Sequence, residues 1–165
     1  PTSTVTVPTC TPEFGGDPYP CTQAEYERSQ QTKARYAEAE RVFREFNRLS
    51  SVELVQRVPE PSPELRALTG GREAANLSEA RTVALNSASF SGELPVVWVK
   101  PIAHHSGEPG NLAMLACADY SRWLVTSKDG APAPTGRHVD RIEFDDASGR
   151  TLIVATSPED GVSCE

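Results

Sequence analysis

The sequence has little of what a nucleic-acid-binding, membrane-spanning or hydrolytic protein displays. Lysine occurs 3 times and acidic residues outnumber basic ones 23 to 16, for a net charge of −7. Without clustered cations nothing displaces the counterions of a phosphate backbone, so nucleic acid is excluded as a partner. The longest apolar runs, such as LPVVWV at 94–99, fall far short of the roughly 20 residues that cross a bilayer. A GxSxG nucleophile elbow and a GxxxxGK[ST] phosphate loop are both missing, and Thr69-Gly70-Gly71 is too short to cradle a phosphate. The cysteines do not come in the closely spaced pairs, such as CxxC, that structural zinc sites use. No cofactor and no metal are expected.

Four cysteines are present, Cys10, Cys21, Cys117 and Cys164, and they permit three full pairings. The pairing Cys10 to Cys21 and Cys117 to Cys164 is favoured. The first pair encloses TPEFGGDPYP, rich in turn-forming residues that bring its ends together. The second would pin the tail SPEDGVSCE to a strand in mid-fold. Each bridge would stabilise by roughly 3 to 4 kcal/mol. Disulfides imply an oxidising compartment, so the protein is expected to be extracytoplasmic.

A length of 165 residues fits one domain with an ordered core. The organisation expected is a Pro/Thr-rich tether and disulfide loop over 1–21, then a single domain over 22–165. The opening PTSTVTVPTC, with neither Met nor signal peptide, is expected to follow a trimmed leader or anchor. That anchor is the only expected attachment to a membrane.

Thr22 with Glu25 makes a capping box, so a helix begins there. It is expected to run to about Leu49, with Tyr36, Ala39, Phe43 and Phe46 in one apolar stripe flanked by Val42 and Leu49. Ser50 with Glu53 repeats the pattern and predicts a short second helix ended by Pro59 and Pro61. Ser62-Pro63 opens a third. The segment 72–88 predicts one more, irregular helical piece.

From Phe90 onward β-branched and aromatic runs alternate with Gly, Pro and Asp clusters. Strands are predicted at 94–102, 112–120, 122–127, 137–144 and 150–156, with a tight hairpin at Asp145-Asp146-Ala147-Ser148-Gly149. Helices followed by an antiparallel meander predict an α+β fold, with a long N-terminal helix and shorter helices packed on a curved sheet of four to five strands. His104 and His105 then fall in a Gly/Pro-rich hairpin loop and read as a solvated turn rather than metal ligands.

The segment LAMLACADYSRWLVTSKDGAPAP, with Cys117, Asp119, Ser121, Asp129 and Gly130, resembles a pattern of secreted or lipid-anchored actinobacterial proteins. A strand ending in Cys-x-Asp-x-Ser is followed by a short strand and an Asp-Gly link. The DDASGR hairpin, the final strand, the terminal DGVSC and the helix ending FREFNRL follow the same plan. The excess of arginine, 13 to 3 over lysine, matches a GC-rich genome. Such proteins are similar to the nuclear-transport-factor-like superfamily, a cone of helices around a bent sheet that includes ketosteroid isomerase. The resemblance covers roughly residues 23–164. The final strand often begins Gly-Trp in that pattern, whereas Gly149-Arg150 stands here.

The resemblance implies fold and location, not a reaction. An isomerase-like site needs a carboxylate or His in an apolar pocket facing a donor such as Tyr. Asp119, His138 and Tyr120 are the candidates, with Asp140 of the right type. Asp119 also suits a strand end, where Asp accepts hydrogen bonds from turn amides. Tyr36, Trp98, Trp123 and Phe144 are candidates to line a small apolar-ligand pocket inside the cone, or to be plain core. The leading expectation is a non-catalytic extracytoplasmic domain of the cell envelope that acts by binding or assembly, its partner an unidentified envelope protein. The alternatives are a small apolar-ligand binder and an isomerase- or cyclase-like enzyme.

Overall fold

The computed structural model describes residues 7–165, so the first six residues of the expected tether lie outside it. Thr22 starts helix α1 (Gln23–Val55) as the sequence predicts. Its hydroxyl accepts from the Glu25 amide at 3.2 Å, and the Glu25 carboxylate accepts from the Thr22 amide at 2.7 Å.

The helix does not stop at Leu49. It continues through Ser50 and absorbs the predicted second helix, because no Gly or Pro between Leu49 and Val55 breaks it. A capping residue needs extended backbone, which the uninterrupted helix denies Ser50. Termination comes instead from Arg57, at φ 56° in the left-handed region. The Val58 amide reaches the Glu53 carbonyl at 2.9 Å and the Arg57 amide reaches Leu54 at 3.1 Å, which is a Schellman closure. A non-glycine residue there costs about 1–2 kcal/mol. The Arg57 guanidinium offsets this by donating to the carbonyls of Leu85 at 3.0 Å and Ala88 at 3.3 Å.

Helix α2 (Pro63–Arg66) is capped by the Ser62 hydroxyl, which accepts from the Leu65 amide at 3.1 Å. Helix α3 (Gly71–Ser87) is regular over 17 residues rather than irregular. A buried ion pair joins it to α1, Arg81 to Glu53 at 2.9 Å.

All five predicted strands are present: β4 (Val96–Ile102), β5 (Leu112–Asp119), β6 (Trp123–Ser127), β7 (Arg137–Asp145) and β8 (Leu152–Pro158). They precede or follow three strands the sequence reading lacked, β1 (Thr9–Cys10), β2 (Tyr19–Pro20) and β3 (Ala88–Gly92). The single meander is corrected. Strands β4-β5-β7-β8 form one antiparallel sheet, while β6 leaves it to pair with β3. A 3-10 turn at Tyr120–Arg122 redirects the chain after β5. The ring of Phe90 on β3 then packs on Trp123 of β6 at 5.7 Å between centroids. The β7–β8 hairpin is tight as predicted, with the Gly149 amide donating to Asp146 at 3.0 Å.

Helix α1 lays its predicted stripe on the four-stranded sheet. Tyr36, Ala39, Val42 and Phe43 meet Leu112, Met114 and Ala116 of β5, Ile142 and Phe144 of β7, and Ile153 of β8. Phe46, Val96 and Val99 close the rim. Fully burying each large apolar side chain contributes roughly 1.5–3 kcal/mol, so this layer is the main source of stability. Strand alternation turns Arg141 and Glu143 to the opposite face from Ile142 and Phe144.

Both favoured disulfides are formed, Cys10–Cys21 and Cys117–Cys164, and all four cysteines are used. The first closes the β1–β2 clasp, which sits against α1, and the Tyr36 hydroxyl donates to Glu13 of that loop at 3.0 Å. Two disulfides fit an oxidising, extracytoplasmic environment. No helix among the described residues is long and apolar enough to cross a membrane.

Candidate functional site

The space between α1 and the sheet is where an internal ligand would lie, and it is occupied by protein. Met114, Ile142, Phe144 and Ile153 are each 2% exposed or less. What remains open is a cleft of about 220 Å³ at one end of this layer, lined by Phe43, Phe46, Asn47, Tyr120, Asp140, Ile142 and Thr156–Pro158. Phe43 and Phe46 of α1 and Ile142 of β7 supply apolar wall, and Asn47, Tyr120, Asp140, Thr156 and Ser157 supply the polar groups.

Asp119 does not enter the cleft. Its carboxylate accepts from the Ser121 amide at 2.9 Å and pairs with Arg137 at 3.5 Å, which is the strand-end role open to it from the sequence. The Ser121 hydrogen bonds, with Arg137 beside them, hold its pKa below the usual carboxylate value. The turn it caps points Tyr120 into the cleft, and the Tyr120 amide donates to the Gly136 carbonyl at 2.7 Å to hold that turn in place.

Tyr120 and Asp140 are therefore the pair the fold brings together. Burial pushes the Asp140 carboxyl up, partly countered by His138. Burial also pushes the Tyr120 hydroxyl up, and the field of the Asp140 carboxylate adds to it. His138 stands edge-on to the Tyr120 ring at 5.1 Å, but it is exposed, with Nε2 at 2.9 Å from the Thr135 carbonyl. The arrangement sets one carboxyl and one phenol, both raised above their ordinary values by burial, side by side in the cleft.

The four candidate pocket aromatics do not share a pocket. Tyr36 and Phe144 are core. Trp98 lies beside the C-terminal tail, donating from Nε1 to the Cys164 carbonyl at 3.1 Å, with the Lys100 ammonium 4.3 Å above its ring. Trp123 is buried in the β3–β6 pair. The larger concavities are on the surface. A groove of about 550 Å³ runs between the C-terminal half of α1 and residues 92–96, with Val52 and Val55 exposed in its wall. A hollow of about 420 Å³ lies between the disulfide loop and α1, beside Tyr36. There, burial and the Glu13 hydrogen bond push the Tyr36 hydroxyl up.

The histidine turn is only half as expected. His105 is exposed, but His104 is half-buried and lies 3.9 Å from Glu143, a buried carboxylate of β7. Glu108 and Glu143 were not singled out in the sequence. The available signal was Arg141-x-Glu143, a charged pair at strand spacing that alternates with apolar Ile142 and Phe144.

No protein-family model matches the chain, and no curated protein or solved structure is significantly similar to it.

Proposed function

We propose that this chain is a non-catalytic, extracytoplasmic domain of the cell envelope, of the nuclear-transport-factor-like kind, that acts by binding or assembly at its outer surface. The observation that carries the reading is the occupied interior: the side chains of α1 and of β5, β7 and β8 fill the space a ligand-binding cone would leave open. The two disulfides and the three helices that precede the strands of the main sheet support the compartment and the fold class. The same filling removes support from the small apolar-ligand reading.

The test is native mass spectrometry of the disulfide-bonded protein from its producing cells, combined with cross-linking in those cells from Lys33, Lys100 and Lys128. The expected result is a chain carrying no small-molecule adduct, and recurring cross-links to one envelope protein. A stoichiometric apolar molecule released only on unfolding would overturn the reading.

A second reading, an isomerase-like enzyme, is supported by the Tyr120–Asp140 cleft, with Asp140 in place of Asp119 as the acid-base group. Proton exchange α to the carbonyl of cyclic ketones, followed by NMR in deuterated water, separates the two. Exchange that the protein catalyses and that Asp140→Asn abolishes would favour the enzyme. No acceleration is expected.

A further inference from the structure

We propose that His104, Glu108 and Glu143 form a binding site for a first-row divalent cation of the zinc class, which clamps the β4–β5 loop to the sheet.

One donor atom from each of these three residues lies within 4.8 Å of the others. Two of them come from the loop after β4 and one from the middle of β7, so the set exists only because the loop folds back over the sheet. Glu143 is 95% buried, yet one of its carboxylate oxygens, Oε2, has no hydrogen-bond partner. A buried carboxylate oxygen without a partner costs free energy, because it has given up water and received nothing. That oxygen faces His104 Nε2 at 3.9 Å.

The other oxygens of the two acids are held from outside. Arg141 donates through Nε to Glu143 Oε1 and through Nη2 to Glu108 Oε2, both at 2.6 Å. The His105 amide adds a bond to Glu108 Oε2 at 2.8 Å. Carboxylate ligands of metals are commonly oriented in this way by hydrogen bonds on their outer side. The guanidinium also lets two carboxylates approach without neutralising the pair completely. Glu108 and Glu143 carry −2 against +1 for Arg141, so the cluster remains anionic before a cation enters. His104 Nε2 lies 3.3 Å from the Pro109 carbonyl. With the ring proton on Nδ1, Nε2 presents its lone pair to the cluster instead.

One imidazole with two carboxylates suits zinc and its neighbours rather than calcium or magnesium, which take oxygen ligands almost exclusively. Zinc bonds of about 2.0–2.2 Å keep two ligand atoms within about 4.4 Å of each other. A movement of a few tenths of an ångström by Glu108, on the half-buried loop side, brings the set within that limit. Three protein ligands leave a tetrahedral ion one further position, which water can fill.

The experiment is isothermal titration of ZnCl₂ into the chelator-treated, disulfide-intact protein, with His104→Ala, Glu143→Gln and His105→Ala beside the wild type. The expected result is one zinc per chain, at least about 10-fold weaker binding in His104→Ala and Glu143→Gln, and unchanged binding in His105→Ala. A rise in melting temperature with added zinc should accompany binding and vanish in His104→Ala. If Glu143→Gln does not fold, Glu108→Gln on the loop replaces it. No saturable uptake by the wild type, uptake that survives His104→Ala, or an equal loss in His105→Ala would overturn the proposal. The first of these would leave a purely structural Arg141–carboxylate cluster.

Discussion

Removing the Cys117–Cys164 bridge, as Cys117→Ala with Cys164→Ser, should cost the protein much of its stability. The bonded residues are 47 apart in sequence. The chain-entropy relation for a loop of that length gives about 4 kcal/mol at 25 °C, set mainly by the freedom the unfolded chain regains. Release of the tail also frees the hydrogen bond from Trp98 Nε1 to the Cys164 carbonyl, a further loss of about 1 kcal/mol. The Cys10–Cys21 bridge spans 11 residues, and the same relation gives about 2.8 kcal/mol for its removal. Alanine at 117 avoids leaving a hydroxyl where the native residue is fully buried. Urea denaturation followed by circular dichroism reads both losses as shifts of the midpoint, with a steeper slope once the unfolded chain is no longer cross-linked. In a thermal scan the larger loss, about 5 kcal/mol in all, corresponds to roughly 10–20 °C. A loss below about 1 kcal/mol, or a larger effect from the Cys10–Cys21 pair, would refute the reasoning that loop length governs the order.

Arg81 and Glu53 are buried at 3% and 8% side-chain exposure, so Glu53→Leu or Arg81→Met alone should cost about 3–5 kcal/mol by stranding a charge. The double variant should lose clearly less than the sum, and a denaturation-based double-mutant cycle checks this. Burial raises the folded pKa of Asp140 above its unfolded value, so the folded state holds the proton longer and stability declines as pH rises between the two. Asp140→Asn should remove that decline, so in midpoint measurements its stability relative to wild type should climb as pH rises above the ordinary carboxylate value of about 3.9, and a difference that does not change with pH above that point would contradict the shift. Gly110 has φ +80°, and a side-chain carbon there would lie 2.1 Å from the Phe144 carbonyl oxygen, whereas Gly107 at φ +97° has nothing within 4 Å. Gly110→Ala should therefore destabilise well beyond Gly107→Ala, which carries only the backbone strain of about 1 kcal/mol; equal melting temperatures for the two would count against this packing.

The legible part of the fold was local. The start of α1 at Thr22, its apolar stripe, the Ser62-Pro63 start and the strand segments all depend on residues within a few positions of one another. The end of α1 was not legible, since Arg57 rather than glycine takes the left-handed position, and it does so because α3 supplies carbonyls for its guanidinium. Strand β3 was missed because Ala-Ser-Phe-Ser-Gly has little strand character until β6 pairs with it. Residue types at the candidate sites were legible, but their grouping was not: Tyr36, Trp98, Trp123 and Phe144 went to three places, while Tyr120 and Asp140 met in one cleft.

The sequence by itself determined that the helices precede the strands of the main sheet and which cysteine pairing to prefer, because capping, periodicity and turn-forming composition are properties of neighbouring residues. The tertiary structure alone decided that the interior is filled, that β6 leaves the main sheet, and that His104 faces a buried Glu143. Those outcomes turn on which side chains from distant segments share one volume, and a one-dimensional pattern carries no record of that volume.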